Sequence, residues 1–226
     1  YANKQDLPKA WDNEDDITTK ACDYTKSVLE KLTEANVKLD ILTIGNEVNY
    51  NFLGYTEDSA YKGWEAMAKI AAIAQDKGIK ASVSISETKT PEDIKWVLQK
   101  LNQDYLNVDF DYVGVNIYPT DNTVSYINDM RKVFEEEERS SGKKTQLYIS
   151  GVKYARQDDK GIASVSSQAN NIYKVLEAGI SENNTGGLVY TGAEDVGSWT
   201  SFFDNNGKAV PSLSIFALAK GLSVDN

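Results

Sequence analysis

Histidine is absent from this sequence of 226 residues, and cysteine occurs once, as Cys22. The absence of histidine excludes every Ser-His-Asp and Cys-His catalytic arrangement and the usual imidazole zinc sites. A single cysteine excludes an intrachain disulfide and a thiolate metal cluster. The helical spacing around Cys22 predicts a buried core thiol. Any catalysis must therefore use carboxylate, tyrosine, serine or lysine side chains.

Long hydrophobic runs and excess positive charge are also missing. The longest apolar runs, such as residues 70–74, are far shorter than a membrane-spanning helix requires. Lys and Arg number 24 against 34 Asp and Glu, which gives a formal net charge of −10. A chain this acidic is a poor match to nucleic acids and anionic membranes. We therefore expect no nucleic-acid partner and no membrane span.

Two hydrophobic periodicities alternate along the chain. Short β-rich apolar runs predict buried parallel strands, and apolar residues three and four apart predict helices between them. The predicted strands are 41–45, 81–85, 112–117, 146–150 and 187–190. The predicted helices are 18–35, 60–75, one that opens at Thr90-Pro91, 123–138, 164–178 and 211–220. A helix followed by five strand–helix pairs predicts an α/β fold with a parallel sheet.

No glycine-rich nucleotide-binding turn is found in the sequence, which argues against a nucleotide-binding open sheet. The five visible βα units are fewer than a TIM barrel contains. Residues 1–11 are not strand-like and resemble the end of a long βα loop. We interpret residues 1–226 as a single domain that begins partway through a larger fold.

Reactive groups of parallel α/β folds lie at the carboxyl ends of the strands. The sharpest signal there is Asn46-Glu47 after strand 41–45, because a carboxylate directly after a buried strand is costly unless it points into a site. Such a carboxyl group can act as a general acid or base, and the Asn46 amide suits a sugar hydroxyl. Alternatively, Glu47 lies in a polar loop and caps a neighbour.

Further polar and aromatic residues follow the other strands. Glu87 follows the second strand, either as an acid, base or ligand group or as part of the polar stretch before the next helix. Sugar rings have apolar CH faces that stack on aromatic side chains. At least two of the four aromatic residues at or past strand ends are therefore expected to contact sugar, although each could instead belong to the core. These four are Tyr118, Tyr154, Tyr190 and Trp199.

Motifs of one known family occur in order along nearly the whole chain. They comprise Tyr1-Ala2-Asn3-Lys4-Gln5 with Pro8 and Trp11, the segment 23–29, Ile44-Gly45-Asn46-Glu47 with Asn49, Gly114-Val115-Asn116-Ile117-Tyr118-Pro119, and Phe203-Asp204 with Gly207, Pro211-Ser212-Leu213 and Phe216. On these residues the chain resembles glycoside hydrolase family 53, the arabinogalactan endo-β-1,4-galactanases. The Asn-Glu strand and the C-terminal stretch are the most specific of the matches.

The resemblance implies a (β/α)8 TIM barrel, here incomplete and beginning after its third strand. It implies retaining hydrolysis of β-1,4-galactan, with Glu47 as the acid/base, and hence a secreted or cell-surface protein. Retention requires two carboxyl groups, one as acid/base and one as nucleophile. Together with the strand-end analysis, the predicted substrate-binding residues are Asn46, Asn49, Tyr118, Tyr154, Tyr190, Trp199 and Glu87.

The sequence departs from the family pattern at two strand ends. The family's nucleophile ends its seventh strand in a pattern like Val-Val-Glu-Thr-Ala-Tyr, and the matching stretch here is 149–154, so that Glu falls on Gly151. The family's Trp-Glu at the eighth strand falls on Thr191-Gly192. Because glycine cannot attack an anomeric carbon, the covalent route is closed at Gly151.

Three functions therefore remain open from the sequence. They are a galactan hydrolase that uses Glu47, a catalytically silent galactan-binding protein, and a fragment that needs a partner chain or an oligomer to cover an open barrel. No cofactor is expected, apart from calcium at the adjacent Asp158 and Asp159, because the family often has a calcium loop in this region.

Overall fold

The computed structural model describes residues 11, 16–49, 52–55, 60–87, 90–103, 106, 108–117, 122–154, 164–180 and 185–219. Helices and strands alternate along it as α1 (Ile17–Glu34), β1 (Ile41–Thr43), α2 (Ala60–Gln75), β2 (Lys80–Ser86), α3 (Pro91–Leu101), β3 (Tyr112–Ile117), α4 (Thr123–Ser141), β4 (Gln146–Val152), α5 (Val165–Ile180) and β5 (Thr185–Tyr190). A 3₁₀ helix (Pro211–Ser214) and α6 (Ile215–Ala219) follow. The five strands pair in chain order, which confirms the predicted α/β alternation.

Four of the five strands differ from their predicted bounds, and the differences in β1 and β4 affect the candidate site residues. β1 ends at Thr43 rather than at residue 45, because Gly45 has a φ of +73° and leaves the extended region. β4 continues to Val152, whose carbonyl accepts a hydrogen bond from the Thr191 N–H at 2.9 Å. Gly151 therefore lies inside β4 and not after it.

The described residues fall into two compact units. Unit 1 comprises the residues before Asn116 together with residues 132–147, and unit 2 comprises residues 116–131 and those from Tyr148 onward. β3 and β4 each contribute residues to both units. The single domain over residues 1–226 stays a prediction.

α2 and β2 lie at the centre of unit 1. Four alanines are buried on α2 beside the larger Trp64, Met67 and Ile70, and the helix packs on both α1 and β2. Every residue of β2 from Ala81 to Ser86 is buried, as expected for a parallel strand that is covered on both faces. β1 pairs in parallel with β2, with Leu42 opposite Ala81. This register fixes which residues follow the two strands side by side.

Two local predictions for unit 1 are confirmed. α3 begins at Pro91, and the backbone N–H of Thr90 donates to the Asp93 carboxylate at 3.1 Å, which closes the first turn. Cys22 on α1 is buried, and that burial raises the pKa of its thiol. Within the described residues, none of the helices combines the length and the hydrophobicity that a bilayer crossing needs.

Unit 2 has an aromatic core between α5, β5 and the C-terminal segment. Its fully buried members are Ile172, Leu176, Phe202 and Val210. The Tyr190 ring packs against this cluster, with its centroid 4.4 Å from that of Phe202 and 6.3 Å from that of Phe216. β5 is therefore fixed at its carboxyl end by the side chain of its last residue.

Candidate functional site

The chain turns sharply after β1, in unit 1. Gly45 and Glu47 have φ values of +73° and +55°. A Cβ at residue 45 would lie 2.6 Å from Cγ1 of Val48, so the turn requires glycine there. A positive φ costs a non-glycine residue such as Glu47 about 1–2 kcal/mol. Backbone strain of this kind concentrates at functional sites, and here it falls on the predicted acid/base.

Hydrogen bonds to β2 hold the two residues of this turn that follow Glu47. The Val48 N–H donates to the Ser84 carbonyl at 3.0 Å. The Ser86 N–H donates to Oδ1 of Asn49 at 2.9 Å. Because β2 is buried and regular, these bonds give the turn a fixed position, and the predicted site residue Asn49 contributes to it directly.

Acidic and amide side chains follow the two paired strands of unit 1. Glu47 is only 7% exposed, whereas its neighbour Asn46 is exposed and its Oδ1 lies 3.4 Å from the Ser84 hydroxyl, which donates to it. Glu87 directly follows β2 and is half-buried. Carboxyl and amide groups can transfer a proton and bind sugar hydroxyls. The structure thus brings Asn46, Glu47 and Glu87 to neighbouring strand ends.

The position predicted for the nucleophile lies in unit 2 and is crowded. Gly151 is buried, and its φ lies outside the left-handed region, so its backbone conformation suits any residue. A Cβ there would nevertheless lie 2.8 Å from Oδ1 of Asn116 and 3.6 Å from Cγ2 of Thr191. The Ser150 hydroxyl donates to the same Asn116 oxygen at 2.9 Å. Residue 151 supplies no carboxylate, and its surroundings leave little room for one.

Gly192, at the family's second missing carboxylate, is crowded in a similar way. Its φ is +74°, and a Cβ there would lie 2.9 Å from Oδ2 of Asp195 and 3.3 Å from Nζ of Lys153. These two charged groups lie 3.8 Å from each other. An ion pair therefore borders the position where the family pattern has a glutamate.

Tyr154 and Tyr190, both predicted to contact sugar, are bound to each other and to the core of unit 2. The Tyr190 hydroxyl accepts a hydrogen bond from the Tyr154 N–H at 3.1 Å and lies 2.8 Å from the Thr200 carbonyl, to which it donates. Nε2 of the buried Gln168 donates to the Tyr154 carbonyl at 3.2 Å. This network positions the two residues, and their contact with sugar stays a prediction.

Trp199 is the predicted aromatic residue with the largest exposed surface among those the structure describes, at 53%. It lines an open cavity of about 460 Å³ together with Ser164, Gly197, Asp204 and Asn205. An indole beside hydroxyl, carboxylate and amide groups can both stack on a sugar and bind its hydroxyls.

Three predicted residues lie outside the described residues. They are Tyr118 and the two aspartates of the calcium prediction, Asp158 and Asp159. In the ranges that the structure describes, no group of three or more His, Cys, Asp or Glu side chains is arranged to hold a metal ion.

The structure shows two residues beside the candidate site residues, Gln168 and Asn116, whose contacts the sequence did not predict. Gln168 is fully buried on α5 and also accepts a hydrogen bond from the Ser212 hydroxyl. A sequence signal for it exists, because Gln168 falls on the apolar helix face that carries Val165 and Ile172. Asn116 has no such signal, since nothing in the sequence indicates its closeness to Gly151.

Comparison with known proteins identifies one family. The profile of Glycosyl hydrolase family 53 matches residues 2–216. An endo-beta-1,4-galactanase of Bacillus subtilis (strain 168) is 22% identical over 283 aligned positions, which include 96% of this chain. The chain spans 64% of the length of that protein.

Solved structures support the same fold. A fungal beta-1,4-galactanase superposes with a TM-score of 0.75 at 18% identity, over 94% of this chain and 72% of the galactanase. A GH2 beta-galacturonidase from Eisenbergiella tayi superposes with a TM-score of 0.62 at 14% identity, over 97% of this chain and 40% of that protein. The expected α/β fold of TIM-barrel type is confirmed, with five strands in the described residues.

Proposed function

The chain belongs to glycosyl hydrolase family 53, and from this premise we propose that it binds β-1,4-galactan, with Glu47 at the position of the family's acid/base and in contact with the sugar. The observation that carries the proposal is the position of Glu47, a buried carboxyl group at a strained strand end. The family match includes this strand. Asn46, Asn49 and Glu87 are the residues of unit 1 proposed to contact the sugar, and Trp199 is proposed as a separate sugar contact of unit 2.

The proposed chemistry follows from the two roles in retaining hydrolysis. One carboxyl group protonates the departing glycosidic oxygen, and the other attacks the anomeric carbon to form a glycosyl-enzyme intermediate. Glu47 can fill the first role, and Gly151 cannot fill the second. The proposed chain therefore holds galactan without forming the covalent intermediate, and we expect no measurable hydrolysis by this route.

A second candidate function is hydrolysis in which Glu87 supplies the other carboxyl group. The observation in its favour is that Glu87 follows β2, the strand paired with β1, so that it and Glu47 follow neighbouring strands of unit 1. In that case reducing ends form in the wild-type chain and are lost in both Glu47→Gln and Glu87→Gln.

The test combines hydrolysis with binding. The chain is incubated with β-1,4-galactan, reducing-end release is measured, and affinity electrophoresis in galactan gels reports binding, with Glu47→Gln as the control. We expect retarded migration without reducing-end release. Release that disappears in Glu47→Gln would establish a hydrolase instead. Migration unaffected by galactan would disprove the proposed ligand.

Trp199 permits a matched test of the sugar contact. Trp199→Ala should weaken galactan binding about tenfold, because an exposed indole face is lost. Trp96→Ala is the control, since Trp96 is similarly exposed, at 49%, and lies on α3 in unit 1. Equal affinities of the two variants would remove Trp199 from the proposed site.

Three finer expectations accompany this proposal. Branched arabinogalactan is the expected natural form of the substrate, and a secreted or cell-surface location follows from a polymer of that kind. The third expectation is that a partner chain or a second copy of this chain packs beside the barrel strands. Its motivation is a cavity of about 290 Å³ along β1, lined largely by apolar residues that include Leu42, Ile44 and Phe52.

A further inference from the structure

The space beside Gly151 is filled by a neighbouring side chain of unit 2. A Cβ built on Gly151 would lie 2.8 Å from Oδ1 and 3.3 Å from Cγ of Asn116. Real Cβ atoms do not approach other heavy atoms to 2.8 Å, so any side chain at residue 151 must displace the Asn116 amide. The obstacle is this side chain alone, because the backbone conformation of Gly151 suits any residue.

Asn116 is held in this place by a neighbour on the adjacent strand. Its Oδ1 accepts a hydrogen bond from the Ser150 hydroxyl at 2.9 Å. Displacing the amide breaks this hydrogen bond of a half-buried hydroxyl. Thr191 borders the same space at 3.6 Å, which limits movement on that side.

We propose that Asn116 occupies the volume that a side chain at residue 151 would need, and that it thereby opposes the return of a nucleophilic carboxylate to this strand end. This inference rests on the proposed function for its consequence in turnover, and on the geometry of unit 2 for its packing. Gly151 and Asn116 form a matched pair in which a small residue at 151 accommodates a larger one at 116. Restoring a carboxylate at residue 151 then requires a change at residue 116 as well.

The glycine at the second missing carboxylate supports this interpretation. The Cβ space at Gly192 is bordered by Asp195 and Lys153, at 2.9 and 3.3 Å. Two positions that carry glutamate in the family pattern are thus glycine here, and polar side chains crowd the Cβ space of both. At both positions a side chain larger than glycine would therefore require its polar neighbours to move.

A double-mutant cycle on the full chain tests the packing. We expect Gly151→Ala to lower Tm by about 3–8 °C, because the methyl group overlaps the Asn116 amide. In the Asn116→Ala background the same change should lower Tm by less than half as much, since the obstructing group is gone. Gly179→Ala is the control for adding a methyl group to the buried part of unit 2, because its Cβ would meet only Ile149, at 3.7 Å. Gly179 lies on α5, where alanine also gains helix propensity, so Tm should not fall.

Two results would overturn the inference. One is a Tm loss for Gly151→Ala no larger than that of Gly179→Ala, and the other is an equal loss with and without Asn116. Each would mean that the Asn116 amide moves aside without a loss of stability and does not restrict which side chain residue 151 can carry.

A measurement of reducing-end release distinguishes failure of this inference from failure of the proposed function. Gly151→Glu alone should release no reducing ends from β-1,4-galactan, whereas Gly151→Glu combined with Asn116→Ala should release them. Release by Gly151→Glu alone would contradict the role of Asn116. Strong coupling in Tm together with no release by the double variant would support the Asn116 packing and count against the galactan proposal.

Discussion

The carboxyl ends of β1 and β4 differ in backbone conformation and in the side chain that each presents. After β1, a carboxyl group is kept at the expense of backbone strain, since Glu47 adopts a φ of +55° and is buried. At the end of β4, the backbone of Gly151 is relaxed, and the space for a side chain is taken by Asn116. Strain is retained at the first end, and no carboxyl group is present at the second.

This difference shows how a catalytic pair can be divided between its two roles. A strained residue persists only when its surroundings hold it in place, and hydrogen bonds from Val48 and to Asn49 do so around Glu47. The same chain has filled the nucleophile's volume with a neutral amide. Under the proposed function, Glu47 is kept for contact with the ligand and not for a covalent step.

The largest expected effect comes from restoring the second carboxyl group. In the variant that combines Gly151→Glu with Asn116→Ala, we expect Glu47→Gln to lower reducing-end release from galactan about 10²–10⁴-fold, because the general acid is lost. In the wild-type chain the same substitution should leave release at background. Equal release by the restored variant with Glu or Gln at residue 47 would show that Glu47 is not the acid/base.

The turn after β1 can be broken with a single methyl group. We expect Gly45→Ala to lower the free energy of unfolding by about 2–5 kcal/mol, the sum of a positive-φ cost and an overlap with Val48 and Phe52. Gly78→Ala is the control, because Gly78 has the same φ of +73° with nothing within 4 Å of its Cβ position. It should lose only about 1–2 kcal/mol in urea unfolding followed by circular dichroism. Equal losses would mean that the turn is not tightly packed.

Tyr190 tests how firmly the end of β5 is held. Tyr190→Phe should cost about 1–3 kcal/mol of unfolding free energy, because the Tyr154 N–H and the Thr200 carbonyl both lose a partner. Tyr173→Phe, at an exposed tyrosine of α5, should change stability by less than about 0.5 kcal/mol. A cost at Tyr190 no greater than at Tyr173 would count against the network.

The smallest expected effect concerns the link between the β1 turn and β2. Asn49→Ala removes the acceptor of the Ser86 N–H and should cost about 0.5–1.5 kcal/mol in the same urea measurement. Asn49→Asp keeps an oxygen at this position and should recover most of the loss. If Asp and Ala are equally destabilising, the Ser86 contact does not hold the turn.

The sequence predicts the order of elements well because burial leaves a periodic pattern. Fully buried strands such as β2 are nearly continuous apolar runs, and α3 begins at a recognisable Thr-Pro signal. The strand ends then follow by counting, which makes Glu47 a candidate, whereas Gly151 becomes one only through the family resemblance. Strand lengths are predicted less well, since the end of β4 depends on a hydrogen bond from Thr191.

The relations between side chains are the part that the sequence does not contain. Nothing local indicates that Asn116 approaches Gly151 or that Gln168 binds the carbonyl of Tyr154, because each pair is separated along the chain by the length of a whole element or more. Such contacts depend on tertiary packing. The sequence therefore predicts the residues at each strand end, and the structure adds which of them fill one another's space.

The close approach of Asn116 to Gly151 also bears on how readily evolution could reverse. A return to glutamate at residue 151 first produces an overcrowded strand end, and a prior loss of Asn116 first produces a cavity and leaves the Ser150 hydroxyl without that acceptor. Both single steps lower fitness if stability is under selection, although the two together restore a packed site. Under the proposed function, a nucleophile at residue 151 is therefore easier to lose than to regain.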